Sequence, residues 1–284
     1  MAVDIAHLRQ WIGKSEQAED LLTAAPLAGF AAMLDRDDPY PQAGEPLPAS
    51  AHWLYFLPHA QQSDIGADGH PKRGGFLPPV ELPRRMWAGS RLEFLQPLQV
   101  GDEIRRTSTI KEVSHKQGKS GDLVFCVVRH EISNADGLAL VDEHDIVYRA
   151  EADPQAPPAK PVPAPTTAAW TRRIVPDPVL LFRYSALTFN GHRIHYDRSY
   201  VTDIEGYPGL IVHGPLIATL LMDLCRRQQP TRHLRRFSFR AVSPLFDIAP
   251  FSVNGMPTAD GRAAHLWAAK EDGSLAMTAE ADFV

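Results

Sequence analysis

Between residues 184 and 197 the chain reads YSALTFNGHRIHYD, which puts Asn190, His192, Arg193 and His195 on one short segment. An imidazole with an ordinary pKa near 6.5 gives or takes a proton at neutral pH, so His195 is a candidate general base and acid. Asn190 carries a side-chain oxygen that can orient a water but cannot accept its proton. Farther on, Ile211-Val212-His213-Gly214-Pro215 ends where Gly214-Pro215 signals a helix start. The free N–H groups and positive dipole end of such a start suit an oxygen that gains negative charge. Gly214 has no side chain to obstruct an approaching carbonyl. A donor at a carbonyl oxygen, with a base near a water or an acidic proton, is what an enolate-forming reaction needs. The same residues also admit quieter readings: His195 as a buried histidine bonded to a loop, and Asn190 as a turn residue in an asparagine-favoured conformation. On such a reading His213 packs against a sheet, and Tyr184, Ser185 and Thr188 support the loop.

These residues need positioning elements. The segment 215–227, PLIATLLMDLCRR, reads as a helix closed by Arg226 and Arg227 and followed by Pro230. It is apolar on nearly every face, so something must wrap it, and a curved antiparallel sheet from the following strands is available. Strand-like runs at 236–242, 246–254, 262–271 and 275–284 are separated by Asp260-Gly261 and Asp272-Gly273 turns. The first half repeats the pattern with runs at 91–100, 103–113, 123–133 and 138–150. Two local matches join the halves: Arg91-Leu92-Glu93-Phe94 with Arg236-Phe237-Ser238-Phe239, and Asp136-Gly137 through Asp145-Ile146-Val147 with Asp272-Gly273 through Asp282-Phe283-Val284. An internal duplication is the economical explanation, the alternative being that any two antiparallel meanders share such patterns. Residues 20–34 are then the first-half helix, with Pro26 and Gly29 expected to weaken or kink it. Residues 35–83 read mostly as loop, apart from the apolar run 53–57. The proline-dense stretch 153–165 reads as a semi-rigid linker. The division predicted is 1–152, a linker at 153–169, and 170–284.

Composition sets the outer limits. With 284 residues, 44% hydrophobic and 22% charged, and a formal charge of -5, the chain has no basic excess for a polyphosphate backbone, so nucleic acid is not an expected partner. Cys126 and Cys225 stand far apart without neighbouring ligands, which argues against a disulfide framework or a structural zinc site and suits a reducing cytoplasm. The first twenty residues lack the apolar core of a secretory signal, and no run approaches the roughly 18 apolar residues of a membrane span. A soluble cytoplasmic protein without a membrane partner is expected.

Ala186 to His195, ALTFNGHRIH, followed by Ile211-Val212-His213-Gly214, resembles the MaoC-like (R)-specific enoyl-CoA hydratases, whose motif runs roughly Ala-Leu-Ser-Gly-Asp-x-Asn-Pro-Ile-His and then Val-His-Gly. His195 falls on that family's catalytic histidine. Asn190 stands where the family has a catalytic aspartate, and His192-Arg193 replace its Asn-Pro. The altered form, Phe182 to Asp197, is similar to the branch that holds the type-2 mitochondrial hydroxyacyl-thioester dehydratases and the bacterial mesaconyl-C4-CoA and itaconyl-CoA hydratases. Leu82-Pro83-Arg84-Arg85-Met86-Trp87-Ala88-Gly89 also resembles the bacterial subgroup.

The resemblance implies an α+β double hot-dog fold, with antiparallel sheets each wrapped around a central helix. It further implies an acyl-CoA thioester substrate, no metal, no cofactor beyond the CoA of the substrate itself, and commonly a homodimer. On this reading His195 exchanges protons during syn hydration, Asn190 orients the water, and the Gly214 N–H polarises the thioester carbonyl beside His213. A distal carboxylate on the substrate would need a cation, for which Arg193 is the candidate, although a surface charge or a phosphate contact fits it too. Arg84 and Arg85 beside Trp87 are candidates for CoA phosphates or the adenine face, or form a solvated edge. The leading expectation is hydration of mesaconyl-C4-CoA or itaconyl-CoA to citramalyl-CoA, with the first half shaping the acyl pocket. The alternatives are a (3R)-hydroxyacyl-thioester dehydratase of fatty-acid synthesis and a non-catalytic acyl-thioester-binding protein.

Overall fold

A computed structural model describes residues 3–118, 121–150 and 160–284. The first half runs α1 (Ile5–Leu8), β1 (Ser15–Leu21), α2 (Ala24–Met33), β2 (Arg84–Phe94), β3 (Glu103–Gly118), β4 (Gly121–Asn134) and β5 (Gly137–Arg149). The second half runs β6 (Trp170–Ile174), α3 (Pro178–Leu187), α4 (Gly214–Gln228), β7 (Leu234–Ala241), β8 (Phe251–Pro257), β9 (Ala263–Lys270) and β10 (Leu275–Phe283). All ten strands join one antiparallel sheet in the order β1-β3-β4-β5-β2-β7-β10-β9-β8-β6. Read from either edge inward, this order is the same, so the halves are related by a pseudo-two-fold axis at the β2–β7 seam.

The register locates that axis. Leu92 pairs with Phe237, Arg91 with Ser238, and Glu93 with Arg236, so the match of Arg91-Leu92-Glu93 to Arg236-Phe237-Ser238 is the structural one. The second match is slipped by two residues. Arg91 faces Glu143 on β5 while Arg236 faces Asp282 on β10, which makes Glu143, rather than Asp145, the counterpart of Asp282.

Helix α4 is the helix the second-half sheet wraps, with residues 216–225 all buried. Its one acidic residue, Asp223, is 5% exposed and meets Arg36 at 3.0 Å, Arg172 at 2.8 Å and Arg227 at 2.7 Å. Three guanidiniums around one buried carboxylate tie α4 to α2's C-terminal loop and to β6. Removing the carboxylate leaves desolvated cations, so Asp223→Ala is expected to lower stability by about 3–5 kcal/mol in urea denaturation.

The first half departs from the expected symmetry. Helix α2 follows edge strand β1 as α3 follows edge strand β6, and α2 packs on α3, so α2 corresponds to α3 and not to α4. Pro26 and Gly29 do not break it. Pro26 lies in the first turn, where the missing N–H costs nothing. A Cβ at Gly29 would come within 3.1 Å of Leu187, so the glycine permits the close crossing of the two helices. Between α2 and β2, where α4's counterpart would run, the chain forms only the 3-10 turns Ala51–Leu54 and Gln62–Asp64. The first-half sheet therefore curves around a turn and a cavity instead of a helix.

Of the predicted linker, residues 153–159 lie outside the described residues. The rest runs along the β9–β10 turn, where Leu275 N–H donates to Val162 and Ala164 N–H to Gly273.

Candidate active site

The motif segment folds as the end of α3 followed by a tight loop. Asp177 caps α3 by accepting the Leu180 N–H at 2.8 Å, and Phe189 then turns the chain with φ 48. Asn190 donates its backbone N–H to Ser185 and accepts the His192 N–H on its side-chain oxygen at 3.0 Å, an Asx turn. The 3-10 turn Arg193–His195 follows.

His195 is 8% exposed, and its Nδ1 lies 2.7 Å from the Ile211 carbonyl. A carbonyl only accepts, so Nδ1 carries the proton and Nε2 is left as the basic atom. Burial, opposed by the Ile211 hydrogen bond and assisted by His70, pushes the His195 pKa down to about 4. The ring is thus a neutral base at pH 7. It stacks on His213 with 3.6 Å between centroids. His213 directly precedes α4 and sits 2.9 Å from Ser185 Oγ through Nε2. Burial also holds the His213 pKa low, with His195 and His192 adding to the effect. His195, His213 and Gly214 are thereby brought together at the N-terminus of α4.

Beside them is a cavity of about 650 Å³ whose wall includes Asn190, Gly191, Tyr196 and Pro215 from the second half. The opposite wall is the inner face of the first-half sheet together with the Ala51–Leu54 turn. Here Asp142, 1% exposed, accepts from Trp53 Nε1 at 2.9 Å and lies 2.8 Å from His144 Nε2 and 3.3 Å from His52 Nε2. Burial alone would raise its pKa, but His144 and His52 hold the carboxyl well below its ordinary value. Arg106 joins this wall from β3, its guanidinium 4.9 Å from the Phe56 ring centroid. Its Nε is buried without a hydrogen-bond partner among the described residues. Sequence reading passed over all of these residues. Their signal was polar side chains at alternate, inward positions of strands: Arg106 and Ser108, His130, and Asp142 and His144.

Trp87 belongs to this wall as well, its ring stacked on His144 at 3.9 Å and its N–H given to Gly89 O and Ser90 Oγ. It lines the cavity, whereas its predicted partner arginines do not. Arg84 is ion-paired to Glu205 and lies 5.8 Å from the Tyr207 ring centroid. Arg85 stands opposite Tyr148 in the β2–β5 ladder, and neither arginine forms part of the cavity wall. Arg193 does not face the cavity either. Its guanidinium is bound by Asp197 at 2.7 Å and by the Ala67 carbonyl at 3.0 Å, and it covers the Tyr200 ring at 4.2 Å. The expected encounter between Arg193 and an acyl carboxylate is therefore replaced by an internal ion pair.

One grouping with metal-ligand chemistry occurs among the described residues: Asp68, His70 and His192, with ligand atoms within 4.8 Å of one another. The two imidazoles lie ring against ring at 4.0 Å, and His70 Nδ1 is already 3.1 Å from Asp68. With His70 Nδ1 already engaged by Asp68, the three side chains stand as a hydrogen-bonded cluster. No helix among the described residues is long and apolar enough to cross a membrane.

A ten-stranded double sheet carrying a buried histidine against the N-terminus of its wrapped helix defines a double hot-dog protein with a base beside a helix start. The family model for hydroxyacyl-thioester dehydratase type 2 matches residues 50–247, and the chain belongs to that family. It is 48% identical over 276 residues to the mesaconyl-C(4)-CoA hydratase of Chloroflexus aurantiacus, covering 95% of both chains. It is 29% identical to the mitochondrial hydroxyacyl-thioester dehydratase type 2 of Schizosaccharomyces pombe, covering 71% of this chain and 75% of the other. Among solved structures, a MaoC-like dehydratase from Phytophthora capsici superimposes with a TM-score of 0.69 at 14% identity over 99% of each chain. A Mycobacterium tuberculosis protein described as a double hotdog fold gives 0.58 at 14% identity over 96% of each. These two likenesses support the fold.

Proposed function

We propose that the protein is a hydro-lyase that adds water across the double bond of a short branched dicarboxyl enoyl-CoA, mesaconyl-C4-CoA or itaconyl-CoA, to give citramalyl-CoA. The observation that carries this reading is the 48% identity, over 95% of both chains, to a mesaconyl-C(4)-CoA hydratase. A second observation favours a dicarboxyl substrate over a simple fatty chain: the cavity wall holds a cation, Arg106, without an ion-pair partner among the described residues. Burial lowers its pKa against the pull of Glu16 and Asp20, yet a guanidinium stays charged in proteins. A carboxylate is the natural partner for a desolvated guanidinium.

In this mechanism the thioester carbonyl sits at the start of α4 and accepts the Gly214 N–H, whose dipole-assisted donation stabilises the enolate. Neutral His195 takes a proton from water through Nε2 as the water oxygen bonds the β-carbon. Asn190 has its side-chain oxygen in the Asx turn, so its amide N–H groups are what it offers to water or substrate. His213 keeps the His195 ring in place by stacking. The second half supplies the helix start and the base, and the first half shapes the acyl pocket. The protein works in the cytoplasm as a homodimer, with no cofactor besides the CoA of its substrate.

The test is a comparison of kcat/KM for itaconyl-CoA, mesaconyl-C4-CoA, crotonyl-CoA and a long-chain enoyl-CoA. One or both dicarboxyl substrates are expected to lead. A lead for the long chain would instead assign the protein to fatty-acid dehydration, and tight binding of acyl-CoA with no turnover would make it a thioester-binding protein.

A further inference from the structure

Hydration moves two protons: one leaves the attacking water and one reaches the α-carbon. Where the resembling hydratases carry an aspartate, this chain has Asn190, which exchanges no proton. The chain nonetheless brings an imidazole backed by a carboxylate to the cavity beside Asn190 from an unexpected direction. Loop 66–70 of the first half docks against the loop that carries Asn190 and His192. Asp68 O accepts the Arg193 N–H at 2.9 Å, and the Arg193 guanidinium holds Ala67 O. A Cβ at Gly69 would sit 1.8 Å from the Gly191 carbonyl, and Gly69 has φ +89, so only glycine permits this approach.

The docked loop presents His70, which lines the cavity together with Asn190 and Gly191. Asp68 fixes it twice, with one carboxylate oxygen accepting the His70 backbone N–H at 3.0 Å and the other 3.1 Å from Nδ1. The bond to His70 holds the Asp68 carboxyl far below its ordinary pKa, against its partial burial. A carboxylate on Nδ1–H fixes the tautomer and leaves Nε2 to exchange a proton, the arrangement that orients many imidazole acids and bases. His70, His192, His195 and His213 form a row, with centroids 4.0, 5.4 and 3.6 Å apart. Burial, reinforced by His70 and His195, presses the His192 pKa down to about 2, which removes it as a proton carrier near neutrality. The side chain of His70, 27% exposed, is in contact with solvent.

We propose that His70, oriented by Asp68, is the second proton-transfer residue of this active site; this rests on the hydratase reading above. His195 Nε2 takes a proton from water while the oxygen bonds the β-carbon and the π pair moves into the thioester enolate. The enolate collapses, forming the α-carbon–hydrogen bond with the Nε2 proton of a His70 ring that enters the step protonated on both nitrogens. The Nε2–H bond breaks and Nδ1 keeps its proton toward Asp68. His195 is then protonated and His70 neutral, and solvent exchange at His70 and loss of the His195 proton restore both. One water is consumed and no net proton is released. Arg193 acts as a positioning residue that latches the His70 loop.

The experiment compares His70→Gln and Asp68→Asn with the wild type on whichever enoyl-CoA the wild type hydrates fastest. It also follows exchange of the product α-hydrogen in D2O. His70→Gln is expected to lower kcat about 100-fold to 1,000-fold, the usual worth of one acid–base group. Its KM should stay within about threefold, because general acid catalysis acts on the transition state. The α-hydrogen exchange should fall in parallel. Asp68→Asn keeps the imidazole but loses its orientation, and should lower kcat about tenfold and alter its pH profile. A folded His70→Gln variant with wild-type kcat and exchange overturns the proposal. If that variant does not fold, unchanged kcat and pH profile in Asp68→Asn overturn it instead. A wild type inert on every enoyl-CoA defeats the hydratase reading itself, whereas an active wild type with an unimpaired His70→Gln variant defeats only the role of His70.

Discussion

His195→Gln is expected to lower kcat about 1,000-fold while leaving the melting temperature close to that of the wild type, because it removes the base but keeps a hydrogen-bonding side chain of similar reach. The pH dependence gives the sharper result. Burial holds the folded His195 pKa at about 4, so the acidic fall of the wild-type rate should come near pH 4 to 5 and not near the 6.5 of a free imidazole. Stability follows the same shift. As pH falls through 6.5 the unfolded chain takes a proton that the folded ring refuses until about 4, so the stability held above pH 6.5 is lost across that window. Replacing the ring by glutamine removes this loss, and urea midpoints of His195→Gln should fall less between pH 7 and 4.5 than those of the wild type. Midpoints falling in parallel would mean that the folded ring accepts protons as readily as the unfolded one, and that His195 is not the buried neutral base described here.

How far such a site can be read from the chain depends on which interactions are local. Each of the eight strand readings meets a strand, because Asp-Gly and Asn-Ala-Asp-Gly turns and Val-, Ile- and Phe-rich runs act within a few residues. The readings at 91–100 and 246–254 are nevertheless displaced from the strands Arg84–Phe94 and Phe251–Pro257 and share only four residues with each. Edge strands β1 and β6 gave no such signal. Strand β1 is SEQAEDL, whose exposed acidic side chains suit a sheet edge and disguise a strand as loop. Helix α3 was hidden in the same way, since its Tyr184 to Leu187 end carries the motif and drew a chemical reading instead of a structural one. His195, His213 and Gly214 were picked out by the motif they share with the resembling family, and the fold brings them together at the start of α4. The cavity wall was not legible, since His130 and Asp142 become neighbours only through cross-strand pairing. Asp68 and His70 were harder still. They lie in a proline- and glycine-rich stretch, and only the meeting of Gly69 with Gly191 gives that stretch a place. Arg193 shows the opposite failure, a residue in the right motif whose charge is spent on Asp197.

Arg106→Met is expected to separate substrate classes. The thioester, the helix start and His195 are common to every enoyl-CoA, so a change on β3 should leave crotonyl-CoA turnover within about threefold, as expected for a group outside the reacting atoms. A dicarboxyl substrate loses its charge-assisted partner, worth about 1.5–3 kcal/mol, and its kcat/KM should fall roughly 10-fold to 150-fold. Methionine keeps the apolar contact with Phe56 and fills most of the arginine stem's volume, so the pocket should retain its shape. Arg106→Lys gives the finer discrimination. Lysine restores a charge but not the planar fork, and should recover only part of the loss if the carboxylate is held by two parallel hydrogen bonds. Arg193→Met is the matching control, since its guanidinium is engaged by Asp197 and Ala67. It should weaken monocarboxyl and dicarboxyl substrates alike by loosening the His70 loop, without changing their ratio. A ratio altered by Arg193→Met and untouched by Arg106→Met would move the carboxylate from the β3 wall to the catalytic loop. It would also show that the ion pair with Asp197 opens when substrate binds.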